Sequence, residues 1–69
     1  MKLADLFVIG QMVKVPELIH ISKKGRIVGK ESGKDNQFIR YDGWVYYLSF
    51  GDSTRWWTVN EEELTKWQG

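Results

Sequence analysis

The chain has no cysteine, one proline and one histidine in 69 residues, and no apolar run longer than the five residues Trp44 to Leu48. Each scarcity excludes something. Without cysteine there is no disulfide framework and no thiolate metal site. Zero cysteine fits a reducing compartment, and a cytoplasmic location is expected. A single histidine, His20, provides no histidine cluster for zinc. Ser22 stands too close to His20 in sequence for a Ser/His/Asp triad to be argued from spacing. The apolar run is far short of the roughly 20 residues that cross a bilayer, so no membrane partner is expected. The opening MKLADLFVIG lacks the apolar core and the small-residue cleavage site of a signal peptide. Ser32 to Lys34 reads SGK without the preceding glycine pattern of a phosphate loop. No cofactor is expected, and no catalytic constellation is legible.

What is present is aromatic. The stretch GWVYYLSFGDSTRWWTVNEEEL, Gly43 to Leu64, holds six of the ten aromatic residues and three of the four tryptophans. A chain of this length makes one domain and buries only about 60% of its unfolded surface. That is little room for so much ring area, so part of it is expected on the outside.

Turn and period signals divide the chain. Lys2 to Phe7 fits one helical turn, with Leu3, Leu6 and Phe7 on one side. Gln11 to Val15 reads as a half-buried strand stopped by Pro16. Ser22 to Gly25 is a turn, and Arg26 to Glu31 a strand in which Gly29 allows a bend. Glu31 to Gln37 is a polar loop, and Phe38 to Tyr41 is a short strand or the loop's ordered end. Asp42-Gly43 is a tight-turn pair. Trp44 to Phe50 is the clearest strand, Gly51 to Thr54 its hairpin turn, and Arg55 to Val59 the next strand. Asn60 with Glu63 imitates a capping box, so Glu61 to Lys66 is expected to form one 3₁₀ or α turn.

Alternation assigns faces. Trp44, Tyr46, Leu48 and Phe50 form the more apolar face and are expected inside, with Val45, Tyr47 and Ser49 outside. Val59 and Leu64 complete the core. Trp57 is expected inward or at a barrel end, and Trp56 outward. Tyr47 and Trp56 then lie on the outer face of neighbouring strands, where an aromatic pair contributes about 0.2–1 kcal/mol.

Charge is unevenly spread. Residues 1–40 carry eight basic and four acidic side chains, and residues 41–69 two basic and five acidic, for a net +1. Lys23, Lys24, Arg26, Lys30, Lys34 and Arg40 form a basic middle, and Glu61, Glu62 and Glu63 an acidic run near the end. The basic segment, with Phe38 and Tyr41 among it, provides the alternative reading of a nucleic-acid-binding surface, since cations neutralise phosphates and rings stack on bases.

The order of a VKV strand, a long loop, GRIVG, a WVYYLSF strand, a GD turn, WWTV and EEEL resembles SH3-like small barrels of the Tudor and KOW type. The resemblance covers roughly residues 10 to 66, with Leu48, Phe50, Gly51, Asp52, Val59 and Leu64 at the positions that carry it. It implies an all-β fold: a single SH3-like five-stranded barrel over 1–69, residues 1–9 docked on it, with a short 3₁₀ or helical turn near the C-terminus. Tudor-like modules hold methylated cations in aromatic cages, for which Tyr41, Trp44, Tyr47 and Trp56 are the candidates, with Asp42 or Asp52 as counter-charge. KOW-like modules meet nucleic acid or large assemblies. The same order is loosely similar to plasmid-borne type II dihydrofolate reductase. There the V-Q-I-Y pore motif falls on Thr54, Arg55, Trp56 and Trp57, and the arginine and the indole imply that such a pore is blocked or rebuilt. The expectation is a non-catalytic module whose partner is another protein, met by Tyr41, Tyr47, Arg55 and Trp56.

Overall fold

The structure, a computed structural model, describes residues 7–19, 23–51 and 56–68. Four strands follow in order: β1 (Met12–Lys14), β2 (Lys24–Ser32), β3 (Trp44–Ser49) and β4 (Trp56–Asn60). A 3₁₀ turn (Gly33–Asp35) follows β2, and a helix, α1 (Glu61–Gln68), follows β4. The strands form one antiparallel sheet in the order β1-β2-β3-β4.

This corrects the expected five-stranded barrel. Among the described residues the sheet has four strands, is open, and does not close on itself. Of the two readings of residues 38–41, the end of the β2–β3 loop holds and the short strand does not. The element that follows β4 is a full helix, where only a single turn was expected. Its start is as the sequence suggests: Asn60 Oδ1 accepts the Glu63 N–H at 2.8 Å, which satisfies one of the donors left free in a first turn. Three glutamates at that end also suit the helix dipole. Eight residues are too few to hold a helix alone. Packing holds this one, through buried Leu64 and half-buried Trp67.

The core lies between one face of the sheet and α1. It contains Phe7, Val13, Val15, Ile27, Tyr46, Leu48, Phe50, Val59 and Leu64. Phe7 meets Tyr46 edge-on, with ring centroids 5.4 Å apart. Phe50 lies over Gly25, where a Cβ would come within 2.7 Å of the ring. Two expected core residues sit differently. Trp44 is half-buried and packs on the margin of the core, with Lys30 Nζ 5.1 Å from its ring centre. Trp57 shares the inner face with its cross-strand partner Leu48, but β4 is an edge, and the ring remains 42% exposed.

A bulge at Val28 explains an otherwise odd distribution along β2. The pairing shifts between Ile27 and Gly29, so the side-chain alternation inverts there. Before the bulge Arg26 faces outward opposite Ser49. After it Lys30 stands opposite inner-face Tyr46, and Glu31 opposite outer-face Val45.

Val45 was expected outside and is fully buried. The loop 33–43 roofs it. Gly33 ties that loop at its neck, donating to the Gly43 carbonyl at 2.6 Å and accepting from the N–H groups of Asn36 and Tyr41, each at 3.2 Å. A Cβ on Gly33 would strike the Tyr41 carbonyl. Arg40 takes a left-handed φ of 53° to close the loop, a conformation costing a non-glycine residue about 1–2 kcal/mol. Asn36 offsets this. It is buried, and all four hydrogen-bonding positions of its amide are used. Nδ2 donates to Glu31 Oε2 at 2.8 Å and to Tyr47 Oη at 3.0 Å, while Oδ1 accepts from the N–H groups of Phe38 and Ile39 at 2.9 and 2.7 Å.

Candidate functional site

The roof covers only half of the outer face. Below it lie Val45 and the hydroxyl end of Tyr47. Beyond it one row crosses all four strands in register: Met12, Arg26, Ser49 and Trp56. This half is open. Met12 is 48% and Trp56 60% exposed. The Arg26 guanidinium is held beside the sheet by its bond to the Gly10 carbonyl, 3.1 Å.

Tyr47 and Trp56 come together as the alternation required. Their ring centroids are 5.8 Å apart and the planes are tilted by 58°. They are diagonal rather than directly opposite, since Tyr47 faces Thr58 and Trp56 faces Ser49. The Tyr47 ring also lies over Gly29, whose missing side chain leaves it room. Its hydroxyl is not available to a partner. Burial raises the phenol above its ordinary value, and so does its hydrogen bond to the Glu31 carboxylate, while the Asn36 amide pulls the other way.

Tyr41 is elsewhere. Its ring lies against Gly43 and its oxygen reaches the start of α1. Burial raises this phenol too, reinforced by the charges of Glu61, Glu62 and Asp42 and opposed by the Glu62 N–H. Glu61 is buried beside it and accepts the Trp44 N–H at 3.3 Å. Tyr41 therefore anchors the roof to the helix. Arg55 and Asp52 lie outside the described residues. The four candidate cage rings do not converge: Trp44 is on the inner face, Tyr41 is at the helix, and only Tyr47 and Trp56 meet.

The basic residues are also dispersed. Lys24 and Arg26 project from the open outer face. Lys30 is on the inner face at the far end, and Lys34 and Arg40 are on the roof loop. Lys23 pairs with Glu17 at 3.3 Å. No single groove gathers them. Sequence reasoning missed Met12 and Arg26 as neighbours of Trp56, because only strand register brings residues so distant along the chain into one row. It also missed Ile39 and Trp57 as surface features beside the β4 edge. No known protein family, curated protein or solved structure matches this chain.

Proposed function

We propose that the protein is a non-catalytic interaction module that binds another protein through the unroofed half of its outer sheet face. One observation carries the reading: Trp56 lies 60% exposed against Tyr47 on a rigid strand pair, in line with Met12 and Arg26. Tryptophan, tyrosine and arginine are the residues that dominate protein interfaces. An exposed apolar group of this size bordered by charge is a surface that gains by being covered. The two rings provide apolar area, and Lys24 and Arg26 set the charge of the surface beside it.

Trp56→Ala tests the reading. The ring makes its principal contact with Tyr47, so the urea midpoint should move by less than about 1 kcal/mol equivalent. Proteins cross-linked to the intact chain in its native host should be lost from the variant. An unchanged set of cross-linked proteins, or a variant that unfolds, would remove the outer face as the binding surface.

A further inference from the structure

The sheet has two edges, and they are treated differently. At β1 the backbone of Lys14 faces outward, and the Gln68 side chain occupies it. Gln68 Oε1 accepts the Lys14 N–H at 3.1 Å and Nε2 donates to the Lys14 carbonyl at 2.8 Å. One amide thus takes both bonds a neighbouring strand would make, which blocks that edge. At β4, among the described residues, no hydrogen bond reaches the open side of Trp56–Asn60.

That open edge borders a hollow of about 290 Å³. Ile39 walls it from the roof loop, Ile19 from the turn after β1, and Trp67 and Glu63 from α1, with Trp57 beside the strand itself. The walls are apolar except for Thr58 of the strand and for Asn60 and Glu63 at the helix start. There Glu63 and its neighbour Glu62 are exposed and form no ion pair among the described residues.

We propose that the β4 edge receives one extended segment of a partner protein as a fifth strand. The segment places a large apolar side chain between Trp57 and Trp67 and a lysine or arginine against Glu63. Main-chain pairing supplies affinity in such an arrangement, and alternate side chains supply selectivity. Charge decides the occupant. Exposed Glu63 at one end of an apolar hollow suits a segment with a cation beside a large apolar side chain, an arrangement that Trp56 to Asn60 of a second copy lacks. The groove adjoins the outer face only at Trp56 and its walls are other residues, so it stands whether or not that face binds a partner.

The test pans a random heptapeptide display library on the intact protein. The expected enrichment is an alternating pattern with a large apolar residue two positions from lysine or arginine. The enriched peptide should bind Glu63→Lys about tenfold more weakly, as loss of an attractive charge and gain of a repulsive one requires. Glu63 is exposed, so this variant keeps its fold. N-methylation of the peptide at one set of alternate residues should abolish binding, and at the other set leave it intact. Arg26→Ala, on the outer face two strands away from β4, should bind the peptide as the parent does, which separates the groove from the outer face. The proposal is overturned by absence of enrichment, by a peptide indifferent to Glu63→Lys or to N-methylation, or by a solution dimer that closes the β4 edge.

Discussion

Tyr41 and Tyr47 show how one residue type takes two roles within a few residues of each other. Both were candidates for a binding face. Tyr47 presents its ring to that face while its hydroxyl closes a network with Asn36 and Glu31. Tyr41 is turned away to the start of α1. Both phenols hold their protons more tightly in the folded chain than in the unfolded one. The sign follows from linkage: the unfolded chain loses these protons first, so stability is intact below about pH 10 and falls as pH rises from there through the folded values. Urea midpoints measured from pH 9 to pH 11 should decline, and the double variant Tyr41→Phe, Tyr47→Phe should decline less steeply than the parent. Equal slopes would show that the two phenols do not titrate differently on folding.

Among the elements, the roof loop departs furthest from expectation. Its composition announces a loop, and its polar residues suggest a solvated one. Instead it folds back on the sheet and buries Val45, with Asn36 as its peg. Asn36→Ala should destabilise the protein by about 2–3 kcal/mol, because buried donors and acceptors lose their partners together. The same variant should expose Val45 and speed amide exchange at Phe38 and Ile39. A change below about 0.5 kcal/mol would show that the loop holds without its peg. The β2 bulge acts at the same scale. One extra residue at Val28 sends Lys30 to the inner side and Glu31 out to meet Asn36. It therefore both disperses the basic segment and sets the foundation of the roof.

At the scale of the whole molecule, the open sheet decides what the tryptophans do. Inside a closed barrel, Trp57→Ala would cost about 3–5 kcal/mol. On an edge strand with the ring 42% exposed, the expected cost is about 1–2 kcal/mol, as for partial loss of a large side chain's burial. Leu48→Ala, at the centre of the core, should cost about 2–5 kcal/mol by comparison. Urea denaturation of the two variants side by side distinguishes an edge from a barrel interior. α1 covers the inner face of the open sheet. It seals the core through Leu64 and Trp67, and its final residues reach across to block β1.

The sequence by itself determined the local pattern. Period-two alternation placed Tyr46, Leu48, Phe50 and Val59 inside and Tyr47 and Trp56 together outside, because the pleat leaves a side chain only two faces to choose between. The Asn60 cap was legible for the same reason: its chemistry is complete within four residues. Closure, the Val28 bulge, the roof over Val45, the remote position of Tyr41 and the open β4 groove were decided by tertiary structure alone. Each depends on where a distant segment comes to rest, and nothing in the local period records whether a strand will have a neighbour on its far side or a loop above it.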